Sequence, residues 1–358
     1  MIVLVSSNTG VLQSSSHYQL GTIDDVVNYC KDKSVLGVDT ETEGFDFTCK
    51  KMIMFQIGDE NQQFVIDTRG ISIEPLREIL ENNNIIKIFH NAKFDYKFIK
   101  KWADITCEGV YDTFLTELVI SCGKSLGYGL KDLCKRYLNV ELNKDVRNQF
   151  IGLVGQPYRE DQIVYGARDV EYLCKIRELQ LPTIAKYKLE NVVKLENQAV
   201  LALADIEYNG LDIDVIKWKA LESINNDEAE KLEKELDVMV KNDKRLKRFI
   251  STHIQTDMFT PVEELRDINI KWTSPKQVLD VFQCIIPKLD NVNGKQMYKY
   301  RYKFPLIDKY VKYKEAMKLC TSYGDAFFKN LSSDKKIHTN FHQILDTGRI
   351  SSSKPNMQ

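Results

Sequence analysis

The chain has 358 residues, a formal net charge of -1, and 43% hydrophobic and 28% charged residues, a balance that points to a globular protein of two domains and excludes an intrinsically disordered chain. Residues 290–358 hold 13 Lys and Arg against 6 Asp and Glu, so this end is expected to suit a polyanion. Eight cysteines without CxxC or Cys/His zinc spacing fit a reducing cytoplasm, and the opening MIVLVSSNTG, with no basic leader and no run near 18 apolar residues after it, gives the expectation of a cytoplasmic protein with no membrane partner.

From about residue 34 to 120, apolar runs of strand length alternate with turn residues and helical patterns. The runs are SVLGVDT, MIMFQIGD, FVIDT, a helix around PLREILENN, then IIKIFHN followed by the helical AKFDYKFIKKW. This is mixed α/β. From about 113 onward, FLTELVISC, LKDLCKRYL and the long run VEYLCKIRELQLPTIAKYKLENVVKLENQAVLALADIEYN carry helical spacing. A break falls at Tyr208-Asn209-Gly210, where Gly can close a helix. Residues 215–250 read as a Glu/Lys-rich helix projecting into solvent, its apolar positions Leu221, Ile224, Leu232, Leu236 and Met239 being sparse; 251–300 read as turn-rich, and 306–330 as helix again.

The stretch GVDTET places Asp39 and Glu41 directly after the apolar run Val35-Leu36-Gly37-Val38. In a strand the two carboxylates share a face, with Cα atoms about 6 to 7 Å apart. Like charges at that spacing are relieved by protonation or by a cation between them, and taken alone the pair also reads as a strand end dipping into water. Two more acids bear on the choice. Asp95 falls in the first turns of the helix after IIKIFHN, and Asp169 lies four residues after Tyr165, hence on the same helical face. Four oxygen ligands suit Mg²⁺ or Mn²⁺ rather than zinc, and two such ions favour phosphodiester hydrolysis. Asp112 reads as the N-cap of a helix starting near Thr113, and His90, with no metal-ligand partner, as structural.

The order DTET, NAKFD (Asn91 to Asp95) and YGARD (Tyr165 to Asp169) resembles the DEDD exonucleases with tyrosine in the third motif, and EGF after the first motif is similar to the proofreading domain of bacterial and phage DNA polymerase I. The resemblance implies an RNase H-like (DnaQ-like) α/β domain with a mixed sheet over residues 1–187. It further implies two Mg²⁺ or Mn²⁺ ions, one held by Asp39, Glu41 and Asp169 and the other by Asp39 and Asp95. Tyr165, with Glu41, would orient the attacking water. Phe45 falls where the family sets an apolar side chain beside the terminal base, and Thr42 and Asn91 fall at substrate-contact positions. Phe45 also reads as core, and Asn91 as a helix cap.

The second half continues the resemblance toward family A DNA polymerases. LENQAVLALADIEYNGLDID looks like the opening of the polymerase part, WTSPKQV like a thumb element, and TGRISSSKPNMQ like the segment that enters the palm and touches primer-template. Residues 188–358 are thus expected to form a mostly helical thumb region and the start of a palm. Lys276, Arg349, Asn356 and Gln358 are implied DNA contacts, with single-stranded 3′ ends and primer-template as partners. The palm and fingers motifs do not follow, so polymerisation is not expected from this chain alone, and a separate palm-and-fingers polypeptide is an expected partner. The rival readings are a stand-alone exonuclease of the ribonuclease D or Werner type, and a DNA-binding subunit of a split polymerase with an idle nuclease.

Overall fold

The computed structural model of the chain describes residues 1–7, 15–122, 124, 127–142, 149–153, 155–252, 266–345 and 347–357. It divides into two compact units, Met1–Asp212 with Leu331–Gln358, and Ile213–Asn330.

The first unit is built on a seven-stranded mixed sheet of β1 (Ile2–Val5), β2 (Gln19–Leu20), β3 (Val35–Thr42), β4 (Met52–Gly58), β5 (Gln63–Asp67), β6 (Ile86–Phe89) and β7 (Val110–Asp112), in the order β2-β1-β5-β4-β3-β6-β7. β4 runs antiparallel to β3 and β5, whereas β3, β6 and β7 are parallel. Because strand side chains alternate, the sheet has two apolar faces. Leu36, Val38, Phe55, Ile57, Phe64, Ile66 and Phe89 form one core with α1 (Ile23–Cys30), α2 (Arg77–Leu80) and α3 (Lys93–Ala103). Leu4, Met54 and Val65 face the other way, and the 28-residue helix α6 (Glu160–Tyr187) covers them with Ile163 and Ala167. Between these layers in sequence lie α4 (Thr113–Ser121) and the short α5 (Leu130–Leu133).

The long helical run splits in two. Lys188, in a left-handed conformation (φ 56°), closes α6, and α7 (Glu190–Asn209) follows and packs on α3 and α4. The expected division at 187/188 therefore does not coincide with the compact units. The last residues also return to the first unit: β11 (Lys336–Ile337) pairs with β8 (Leu211–Asp212), and β12 (Asn340–His342) pairs with β13 (Ser351–Ser353). Buried Glu207 of α7 fixes this return. Its carboxylate accepts from Lys93, from Lys97 and from the backbone N–H of Phe341, and Lys93 also donates to the Phe341 carbonyl.

The second unit is helical, with α8 (Val215–Asn242), α9 (Pro275–Gln283), α10 (Gly294–Tyr300), α11 (Pro305–Tyr323) and α12 (Asp325–Phe328), plus a small ribbon of β9 (Ile250–Thr252) and β10 (Arg266–Ile268). The expected projecting helix is corrected here. Leu232, Leu236 and Val240 of α8 are buried with Trp272, Phe282, Ile307 and Tyr310, and α8 packs along α11; Leu221 and Ile224 in its first half are exposed. The reading of 251–300 as turn-rich missed α9 and α10, which are short and bounded by Pro275 and Gly294. No helix among the described residues is long and apolar enough to cross a membrane.

Candidate active site

Two glycines set how closely α6 approaches the sheet. A Cβ on Gly37 of β3 would stand 2.8 Å from the Val170 carbonyl oxygen, and one on Gly166 of α6 would stand 2.6 Å from Gln56 Nε2. With neither side chain present, the helix backbone lies against β3 and β4 where Asp39 and Glu41 point toward it, since Gly37, Asp39 and Glu41 share one face of the strand. Asp169, next to Val170, is carried onto the same spot.

The result is a group of three carboxylates. Asp39, Glu41 and Asp169 each offer an oxygen, and these atoms all lie within 4.8 Å of one another. Glu41 and Asp169 are buried and Asp39 is half-buried. Three carboxylates so close in a partly desolvated place repel one another unless one is protonated or a cation shares them, and an all-oxygen donor set fits a hard divalent ion. Burial, and then the charge of Asp169, pushes the thiol of Cys134 up to about 12.

Asp95 is placed differently. It is buried in the first turn of α3, where the helix N-terminus favours a carboxylate, and its Oδ1 accepts a 2.6 Å hydrogen bond from the Thr40 hydroxyl. Thr40 stands between Asp39 and Glu41 and so points to the opposite face of β3. Asp95 approaches from the α3 layer and is outside the group of three.

Asp112 is the expected N-cap of α4, and it also holds the turn into α3. Its carboxylate accepts from the backbone N–H groups of Phe114 and Leu115 at the start of α4, and from those of Asn91 and Ala92 at the turn into α3. Burial raises its pKa, and the four donors pull it back. Asn91 is consequently not the cap. It takes a left-handed conformation (φ 67°) that makes the turn, and its side chain is exposed. His90 Nδ1 lies 3.0 Å from Thr113 Oγ1.

The remaining candidates fall around and beyond this core. Tyr165, half-buried, is one turn before Asp169 on α6, its ring centroid 6.2 Å from that of Phe150. Thr42 is buried and donates to the Gly44 carbonyl at 2.7 Å, shaping the turn after β3. Phe45 is 71% exposed, with its ring edge-on to Phe94, so it is not core. Lys276 is an exposed residue of the second unit, on α9; Arg349 and Asn356 are exposed near β13, and Gln358 lies outside the described residues. Sequence reasoning missed Gln56, Gly37 and Gly166. Gln56 had a signal, being a lone amide within the buried run MIMFQIG.

Residues 18–181 match the family model of 3′-5′ exonucleases, and residues 242–358 match that of family A DNA polymerases. Ribonuclease D of Haemophilus influenzae is 27% identical over 195 residues, 53% of this chain and 48% of that protein. DNA polymerase I of Borreliella burgdorferi is 23% identical over 359 residues, 94% of this chain and 36% of that protein. The chain thus spans about a third to a half of the length of curated relatives it matches. The POL domain of Pol1 from M. smegmatis, solved in complex with DNA primer-template and dNTP, shares the fold, with a TM-score of 0.68 over 99% of this chain and 55% of that one at 18% identity. The chain is thus similar to family A polymerases, its match to 3′-5′ exonucleases lying ahead of its match to their polymerase part.

Proposed function

We propose that the chain is a divalent-metal-dependent 3′-to-5′ exonuclease that trims DNA from its 3′ end, the proofreading portion of a family A polymerase. The observation that carries the reading is the convergence of Asp39, Glu41 and Asp169 within 4.8 Å. Asp39, Glu41 and Asp169 would hold one Mg²⁺ or Mn²⁺ ion; Asp95, which accepts from Thr40 on the other side of β3, would have to leave that hydrogen bond to join Asp39 at a second. When bound, such ions supply an activated water and stabilise charge in an in-line displacement at phosphorus. Water attacks the terminal phosphorus, the bond to the 3′ oxygen of the preceding nucleotide breaks, and a nucleoside monophosphate leaves. Tyr165 orients the water by hydrogen bonding, a phenol being a poor base for taking its proton. Phe45 stacks on the terminal base, with Thr42 and Asn91 contacting the strand.

Residues 1–187 are proposed as the exonuclease part and 188–358 as thumb and palm entry, with Lys276, Arg349, Asn356 and Gln358 touching primer-template. An arginine can donate to minor-groove acceptors that all base pairs present, reading geometry rather than sequence.

The test is hydrolysis of end-labelled single-stranded DNA with Mg²⁺. Asp39→Ala is expected to lose more than the roughly 10- to 100-fold typical of outer-shell partners; activity equal to wild type refutes the assignment. The ribonuclease D relatives favour a second reading, an exonuclease acting on RNA. Faster cleavage of an RNA strand than of the matching DNA would select it.

A further inference from the structure

Gln56 is a polar residue in the middle of a buried strand. Its side chain is 0% exposed, and neither Oε1 nor Nε2 has a hydrogen-bond partner among the described residues. Exchanging the two amide atoms would leave both still without partners. An orphaned buried amide destabilises a fold, and an apolar side chain of the same size would fill this place without that cost. Orphaned groups in a packed interior call for an explanation such as a catalytic role or a bound ion or water.

The location supplies one. Gln56 is the register partner of Asp39, and both side chains point toward α6. Opposed residues on one face of a strand pair have Cβ atoms about 4.5 to 5.5 Å apart, within reach of a carboxamide and a carboxylate. The other wall of the amide's niche is Gly166, between Tyr165 and Asp169, where a Cβ would stand 2.6 Å from Nε2. Any larger residue at 166 would displace the amide or the helix.

We propose that Gln56 is a positioning residue for the acidic cluster. Its Nε2 donates to the Asp39 carboxylate, directly or through one ordered water, when the cluster holds its divalent cation, and so fixes which Asp39 oxygen faces the ion. Gln56 touches neither substrate nor ion. The inference rests on the reading of the cluster as a hard-cation site. It goes beyond that reading in naming a donor from the sheet that the acid motifs do not contain.

Mn²⁺ binding to the full chain, followed by calorimetry, tests it alongside thermal melts. Gln56→Met removes the donor and keeps the volume. It is expected to melt at or above the wild-type temperature, because the orphaned amide is gone, yet to bind Mn²⁺ about tenfold more weakly, as for lost outer-shell partners. Its hydrolysis is expected to fall at limiting Mn²⁺ and recover at saturating Mn²⁺, which a purely structural residue would not produce. Gln56→Leu is the second variant and is held to the same affinity loss should the Met variant melt early. Wild-type Mn²⁺ affinity in a folded Gln56 variant overturns the proposal. Asp39→Asn separates the two levels: if Mn²⁺ binding is the same with and without this substitution, the cluster itself is misread and the inference falls with it.

Discussion

Gly37 of β3 and Val170 of α6 lie in close contact, a Cβ on Gly37 falling 2.8 Å from the Val170 carbonyl oxygen. That contact is with backbone, which cannot rotate away, so Gly37→Ala must push α6 off the sheet. Overpacking of this kind costs about 1–3 kcal/mol. The displaced element carries Asp169 and Tyr165, so hydrolysis should fall further than the stability loss accounts for. Melting and DNA hydrolysis measured on one preparation decide it. A variant as active and as stable as wild type would mean that helix and strand are not held at this distance.

Phe45 separates substrate binding from folding. It is 71% exposed and touches Phe94 edge-on, so Phe45→Ala should change stability by no more than about 0.5 kcal/mol. If its ring stacks on the terminal base, the loss is about 1–3 kcal/mol of binding, an increase in KM on single-stranded DNA of about tenfold. An unchanged KM would remove Phe45 from the substrate path.

Asp112 follows an apolar strand as Asp39 does, and its hydrogen bonds assign it a structural task. Oδ1 accepts from Asn91, Phe114 and Leu115 while Oδ2 accepts from Ala92, so one carboxylate ties the turn into α3 to the start of α4. Asp112→Asn turns one acceptor into a donor facing an N–H group. This buried mismatch should cost about 2–4 kcal/mol and leave divalent-ion affinity little changed in the folded fraction. Denaturant unfolding and Mn²⁺ titration check both halves. A stable variant that had lost its ion would place Asp112 in the ligand set.

The strands were legible where the apolar run was nearly continuous. SVLGVDT, MIMFQIGD, FVIDT and IIKIFHN became β3, β4, β5 and β6 because each carries enough apolar residues to mark a sheet buried on both sides. β2 has only two residues, too few for any period to show. The three acids of the cluster were legible because strand alternation and helical spacing fix which side chains share a face. The side from which Asp95 arrives was not, since it depends on which layer α3 joins. The return of the C-terminal strands to the first unit was equally hidden. It is held by Glu207 with Lys93, Lys97 and the Phe341 backbone, and contacts between residues over a hundred positions apart leave no local pattern.

Lys87 gives the sheet a pH dependence of its own. It is a fully buried lysine in β6, its Nζ donating to the carbonyls of Ile79 and Asn82 near the end of α2. Burial lowers its pKa from 10.5 to about 8, a difference of about 3 kcal/mol at 1.36 kcal/mol per unit. Below pH 8 both folded and unfolded chains hold the proton, and the folded state bears the full cost of a buried charge. Between about 8 and 10.5 the unfolded chain keeps a proton that the folded chain has released, so stability rises with pH. Lys87→Met has no such group. The stability of wild type relative to this variant should therefore rise from pH 8 toward pH 10, read by urea unfolding at several pH values, with groups common to both chains cancelling. A flat difference would show that the ammonium is solvated or paired well enough to keep its ordinary pKa.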